Sequence, residues 1–220
     1  KKVIFEGNGI LEGNNKVDTL HFLQGGSVLG NNIIGELIIK SNGIIDGENN
    51  IHQATLEDNS SLNGQNTFDI LTFSPGGTYT FAINSTQTIN DEFNIIGNCY
   101  QPIRMLSDTN GVQANIKKVN GSVIGDFLSL RDLNTICNTP FIANNSVDLG
   151  NNTNWNIETT SGIDLYWVNG SGNWNDPLHW DTISDGLGDH CPPTELNNAY
   201  FDQYSFSEPN PEVSINVRNA

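Results

Sequence analysis

The segment GILEGNN at residues 9–15 returns as GSVLGNN at residues 26–32, as GIIDGEN at residues 43–49 and as SSLNGQN at residues 60–66. Each copy of the segment begins 17 residues after the previous copy. Repeats built from helical pairs need about 30 residues or more, whereas a short repeat with glycine corners is typical of one turn of a β-solenoid. The period therefore predicts an all-β fold of stacked parallel coils over residues 3–73.

Three columns of apolar residues keep the same step and lie six, six and five residues apart within a repeat. They are Phe5, Phe22, Ile39, Leu56 and Phe73; Leu11, Val28, Ile45 and Leu62; and Val17, Ile34, Ile51 and Phe68. Because alternate side chains of a strand point the same way, Leu20 and Phe22 are expected to face inward and His21 outward. One coil cannot bury its apolar edge alone, so the coils should stack about 4.8 Å apart.

Glycine and asparagine form two further columns at the predicted corner of each coil. The members are Gly13, Gly30, Gly47 and Gly64, followed by Asn15, Asn32, Asn49 and Asn66. Glycine and asparagine tolerate the positive φ of a tight corner, and stacked Asn amides can hydrogen-bond from coil to coil. A row of ligand-binding amides is the alternative, but corner chemistry accounts for the pattern without a ligand.

The later part of the chain keeps strand signals but loses the strict period. Segments such as Thr78–Phe81 alternate in polarity between turn residues, and no segment has helical periodicity. We therefore expect wider coils with loops and very low helix content after residue 74. The repeat is already in phase at Val3, which predicts that the chain is a segment of a longer solenoid.

The composition limits the partners of the chain. Charged residues are 15% of the 220 residues, yet the formal net charge is −16. This acidic balance argues against nucleic acid and anionic membrane surfaces, and it suits a soluble extracellular surface or divalent-cation binding. No apolar run approaches the length of a transmembrane helix, so membrane insertion is not expected.

The three cysteines, Cys99, Cys137 and Cys191, match no metal-binding spacing. An odd number leaves at least one of them unpaired within the chain. A Cys99–Cys137 disulfide is one interpretation if the compartment is oxidising, and three thiols are the other.

Several separated phrases, in order, resemble the giant cell-surface repeat proteins of Bacteroidota. They are FSPGGTYTF at residues 73–81, STQTI at 85–89, GNCYQPI at 97–103 and SVDLGNNTNWNI at 146–157. The segments YWVNGSGNWNDPLHW at 166–180 and PTELNNAYFD at 193–202 resemble the opening of a fresh repeat unit in those proteins. The resemblance covers about residues 67–206. It implies a β-solenoid repeat unit over residues 1–160, followed by a Trp-rich junction and the start of the next unit over residues 161–220.

Some members of that group are SprB-type gliding-motility adhesins, which the type IX secretion system exports. The resemblance implies a right-handed solenoid that acts as a stalk of a secreted adhesin at the cell surface, for attachment or gliding. Its implied partners are neighbouring repeat units, the secretion and gliding machinery and, in one interpretation, extracellular polysaccharide. No cofactor is expected.

The four tryptophans, Trp155, Trp167, Trp174 and Trp180, all lie in the last third of the chain. Exposed aromatic faces could bind sugars, which makes a carbohydrate-binding module the alternative function. A row of Trp can equally cap the end of a solenoid unit, and this interpretation is favoured because Trp174 and Trp180 flank turn residues.

Calcium is a weaker candidate ligand for the acidic loop near the end of the chain. Asp181, Asp185, Asp189 and Asp202 could supply hard oxygen ligands, but their spacing is not that of an EF-hand or a nonapeptide calcium repeat. A solvated acidic loop is therefore the favoured interpretation.

A polysaccharide lyase or hydrolase on a β-helix needs a carboxylate pair or cluster on one wall. In the regular coils Glu36, Asp46, Glu57 and Asp58 do not share a column. Alternation from Leu128 and Leu130 predicts that Arg131 and Asp132 point to opposite faces. The four histidines, His21, His52, His179 and His190, are scattered and are expected to be solvent-exposed, so catalysis is not expected.

Overall fold

The computed structural model describes residues 1–138, 141–159 and 161–215. The chain divides into two compact units, residues 1–159 and residues 160–220. Nearly all of its regular structure is β, and the described residues contain no α-helix. No helix in the described part of the chain is long and apolar enough to cross a membrane.

The first unit is a series of short strands joined by corners and loops. They are β1 (Lys2–Phe5), β2 (Gly9–Gly13), β3 (Lys16–Phe22), β4 (Gly26–Gly30), β5 (Ile33–Ile39), β6 (Gly43–Gly47), β7 (Asn50–Leu56), β8 (Ser60–Leu62), β9 (Thr67–Phe73), β10 (Thr78–Phe81), β11 (Thr86–Asn94), β12 (Ile103–Ser107), β13 (Ala114–Lys118), β14 (Ile124–Asp126), β15 (Leu128–Arg131), β16 (Leu133–Ile136), β17 (Phe141–Asp148) and β18 (Trp155–Thr159).

These strands form two parallel sheets that run the length of the unit. The long-strand sheet has the order β1-β3-β5-β7-β9-β11-β13-β16, and the short-strand sheet runs from β2 through β4, β6, β8, β10, β12 and β15 to β17 and β14, with β18 on β17. Each coil contributes a strand to each sheet, and about nine turns stack in this way. The predicted parallel β-solenoid is therefore confirmed.

The step between coils is regular at first and lengthens later. Leu20 pairs with Leu37, Leu37 with Ala54 and Ala54 with Leu71, so each step is 17 residues. Farther along, Thr86 pairs with Asn115, a step of 29 residues. The predicted change from 17-residue coils to wider coils is confirmed.

The core fills the space between the two sheets. Leu20 and Phe22 are fully buried, whereas His21 between them is partly exposed, so the predicted alternation is confirmed. The rings of Phe5 and Phe22 stack with centroids 4.8 Å apart, which matches the spacing of neighbouring strands. The apolar columns of successive coils thus form one continuous core.

The glycines at the corners of the coils have a positive φ. Gly13, Gly30, Gly47 and Gly64 have φ of +103°, +97°, +119° and +71°. A Cβ on Gly47 would lie only 2.0 Å from the backbone oxygen of Gly30. Both the conformation and the close approach of the next coil therefore require glycine here.

The asparagines supply the hydrogen bonds of the same corner, and none of the four has a positive φ. Nδ2 of Asn15 donates to Oδ1 of Asn32, Asn32 to Asn49 and Asn49 to Asn66, each at 2.8 Å. Nδ2 of Asn66 then donates to Oε1 of Gln87 at 2.9 Å. We call this row the amide ladder, and it joins five successive coils.

The second unit has short strands and one 3-10 helix. They are β19 (Asp164–Trp167), β20 (Gly172–Asn173), the 3-10 helix Pro177–His179, β21 (Trp180–Asp181), β22 (Asn198–Tyr200) and β23 (Val213–Ser214). The strand β19 lies between antiparallel β21 and parallel β22, and β20 pairs with β23. A small core of Leu165, Trp167 and Trp180 holds this unit together.

Candidate functional site

In each long strand of the regular coils, the alternation of inward and outward side chains is interrupted once, where two consecutive side chains both point outward. Val17 and Leu20 are both buried although they are three residues apart, so Asp18 and Thr19 both point outward. The same burial pattern recurs in β5, β7 and β9. Because this interruption occurs at the same position in successive coils, the outward-pointing residue pairs form a continuous row on the outer face of the long-strand sheet.

A cavity of about 320 Å³ follows this feature. We call it the outer groove. One column of its lining comprises Lys16, Ile33, Asn50 and Thr67, and the other comprises Asp18, Gly35, His52, Asp69 and Asn90.

A chain of hydrogen bonds joins three coils along the second column. Oδ2 of Asp69 lies 2.8 Å from Nδ1 of His52, and Nδ2 of Asn90 donates to Oδ1 of Asp69 at 2.9 Å. The bond to His52, followed by that from Asn90, lowers the pKa of the Asp69 carboxyl. An ionised carboxylate only accepts hydrogen bonds, so Nδ1 of His52 donates to Asp69 and leaves Nε2 available for another contact. The His52 side chain is 68% exposed, as predicted.

Gly35 leaves a gap in the same column between Asp18 and His52. A Cβ on Gly35 would lie 2.4 Å from the backbone oxygen of Asp18. The close contact between coils therefore excludes a side chain at this position. Ile33, which also lines the outer groove, is 55% exposed.

The second unit has a separate cavity of about 630 Å³, lined in part by Ser171, Asp185, Tyr204 and Glu208. The Glu208 carboxylate accepts hydrogen bonds from the backbone N–H and the hydroxyl of Ser171 at 2.5 and 2.6 Å. The hydroxyl bond is the main reason that the pKa of Glu208 is lowered. This carboxylate therefore holds two loops of the unit together.

The four tryptophans do not form one platform. Trp167 and Trp180 are fully buried, and their rings meet edge to face with centroids 5.1 Å apart. Trp174 packs against Trp180, with centroids 4.7 Å apart, in the same core. Trp155 lies in the last coil of the first unit and packs on Phe141 at 5.0 Å. Trp167 and Trp180 are therefore not exposed sugar platforms, which is the alternative to the favoured capping interpretation.

Two of the four acidic residues considered as calcium ligands, Asp181 and Asp202, accept hydrogen bonds within the second unit. Asp181 accepts hydrogen bonds from the N–H groups of Ile183 and Gly188 at 3.0 and 3.1 Å. Asp202 accepts one from the Ser184 hydroxyl at 2.5 Å, while Asp185 and Asp189 adopt positive φ. Within the described residues, no three His, Cys, Asp or Glu side chains are grouped so that they could hold a metal ion.

Two other predictions made from the sequence are wrong. Neither interpretation of the cysteines, a Cys99–Cys137 disulfide or three thiols, is right, because Cys99 is disulfide-bonded whereas Cys137 retains its thiol, 3.9 Å from Oγ1 of Thr135. Arg131 and Asp132 do not point to opposite faces, since Nε of Arg131 lies 3.4 Å from Oδ2 of Asp132. Asp132 has a φ of +57°, and this left-handed residue ends the alternation of the strand.

His179 is not fully solvated, because its ring stacks on Trp167 with centroids 4.6 Å apart.

No protein-family profile, curated protein or solved structure matches this chain.

Proposed function

We propose that this chain is a stalk segment of a large secreted cell-surface adhesin, which takes part in surface attachment or gliding motility. The observation that supports the proposal best is the unbroken stack of about nine coils in the first unit. With about 4.8 Å between neighbouring strands, such a stack spans roughly 40 Å. Its stability adds up from neighbouring coils, which suits a spacer that projects a binding region.

The remaining properties of the chain are compatible with this role. The net charge of −16 keeps neighbouring copies apart and soluble at an exposed surface. Cys99 is disulfide-bonded, and disulfides persist in oxidising compartments such as the cell exterior. The proposed partners are neighbouring repeat units and the export and gliding machinery. The role includes no catalytic step and no cofactor.

Surface labelling tests the proposed location. Antibodies raised against the purified chain should label intact cells that produce it, and mild protease treatment of those cells should remove the signal. A signal that appears only after the cells are lysed would reject the proposal.

An in-frame deletion tests the proposed role in the same cells. Removal of residues 1–159 should weaken attachment or gliding while the rest of the protein still reaches the surface. Unchanged attachment and gliding, with the truncated protein verified at the surface, would count against a stalk.

A further inference from the structure

We propose that the outer groove binds an extended, neutral polysaccharide chain. The groove crosses five consecutive strands of one sheet, because Lys16, Ile33, Asn50, Thr67 and Asn90 lie in β3, β5, β7, β9 and β11. Four intervals of about 4.8 Å give it a length of roughly 19 Å. A straight, open groove with one set of side chains per coil fits a polymer of repeating units better than a compact small molecule.

The chemistry of the lining fits sugar hydroxyls, which both donate and accept hydrogen bonds. Asn50 contributes an amide, Thr67 a hydroxyl and His52 the ring nitrogen Nε2, which is not used in the bond to Asp69. The exposed side chain of Ile33 offers an apolar surface to the C–H groups of a sugar ring.

Two polar side chains of the groove are held in place by hydrogen bonds within the protein. Asp69 fixes both His52 and Asn90 through hydrogen bonds of 2.8 and 2.9 Å. These residues stand on strands of a rigid sheet, which are better supports for a binding site than loops. Preorganised side chains lose less conformational freedom when a ligand binds, and this favours affinity.

Charge and topology exclude other polymers. The chain has a net charge of −16, which disfavours nucleic acid and acidic polysaccharides. A peptide that adds a strand needs a free sheet edge, whereas β5, β7 and β9 are each paired on both sides. A neutral glycan needs neither a free edge nor a basic surface.

The test is affinity electrophoresis of the purified chain through gels that contain one polysaccharide each. The neutral probes are soluble β-glucan, mannan and xylan, and the acidic probes are alginate and polygalacturonate. We expect retardation by at least one neutral probe and none by the acidic probes. Retardation by acidic probes alone, or by none of the five, would overturn the proposal.

Variants locate the binding site on the protein. His52→Ala and Asn50→Ala should each weaken binding several-fold, and the double variant should weaken it about tenfold or more. Gln53→Ala is the matched control, because Gln53 is exposed on the same strand but does not line the groove. It should bind like the unmodified chain, and circular dichroism should show the same fold for all variants.

A further variant, Tyr204→Ala, separates this groove from the cavity of the second unit. Binding that is lost in Tyr204→Ala but kept in the His52 and Asn50 variants would place the site in that other cavity and reject the proposal. The outcome is independent of the stalk role, which is tested on cells by labelling and deletion.

Discussion

Nδ2 of Asn32 donates a hydrogen bond to Oδ1 of Asn49 in the next coil at 2.8 Å, and both side chains are fully buried. The same Oδ1 also accepts from the backbone N–H of Asn32 at 3.1 Å. Nδ2 of Asn49 in turn donates to the backbone oxygen of Asp46 at 3.2 Å. Each Asn therefore satisfies buried polar groups of its own coil and of its neighbour, so the amide ladder links local corner geometry to stacking.

Asn49→Ala should lower the free energy of unfolding by about 3 kcal/mol, because several buried donors and acceptors would lose their partners. Urea unfolding of the purified chain, followed by circular dichroism, measures the change. Asn42→Ala is the control, since Asn42 is exposed at a loop of the same coil, and it should change stability by no more than about 0.5 kcal/mol. Equal effects of the two substitutions would show that the ladder does not stabilise the stack.

Gly47→Ala should destabilise the first unit by more than about 2 kcal/mol, because strained backbone and steric contact add together. The φ of Gly47 is +119°, and a Cβ would lie 2.0 Å from the oxygen of Gly30. Gly7→Ala provides the comparison, as no atom lies within 4 Å of a Cβ at that position. Thermal unfolding should show a clear drop in Tm for the first variant and little change for the second; similar Tm values would contradict this account of the corner.

The regular coils could be predicted because the backbone repeats. A step of 17 residues that brings Leu20 over Leu37 brings every apolar column into register. The same step places His52 beside Asp69, so this pair of the outer groove could have been found from the sequence. Asn90 could not, because it lies 21 residues after Asp69, where the coils become longer.

Two other features lie at residues where a simple periodic rule stops. The positive φ of Asp132 turns its side chain toward Arg131. The rule that side chains alternate along a strand assumes extended backbone, so it does not apply to this residue. The burial of Trp167 and Trp180 depends on how short strands of the second unit pack together. No period links those strands, so the sequence favoured a buried cap over an exposed platform but did not show which Trp side chains form the core.

Removal of one whole coil, residues 37–53, should leave a folded solenoid, because Ala54 would take the place of Leu37 and the residues after it would stay in their columns. Removal of residues 37–44 should not, since the corner would fall out of register with its neighbours. Circular dichroism and thermal unfolding of both deletions test this. Cooperative unfolding only in the 17-residue deletion is expected, and equal behaviour of the two would contradict independent stacking of coils.

Acid should destabilise the first unit partly through Asp132, which is 2% exposed. Its carboxylate accepts hydrogen bonds from the N–H of Gly111 at 2.9 Å and from Nδ2 of Asn151 at 2.6 Å. Burial opposes ionisation, but these bonds and the attraction of Arg131 outweigh it and lower the pKa of Asp132 below its usual 3.8.

A carboxyl whose pKa is lower in the folded state stabilises the fold above its unfolded pKa, and this contribution disappears as pH falls through the folded pKa. Asp132→Asn should therefore reduce stability at pH 7 and flatten the loss of stability below pH 3.8. Urea unfolding between neutral and strongly acidic pH measures both effects. Parallel pH profiles of the variant and the unmodified chain would mean that Asp132 binds protons equally in the folded and unfolded states, contrary to its hydrogen bonds.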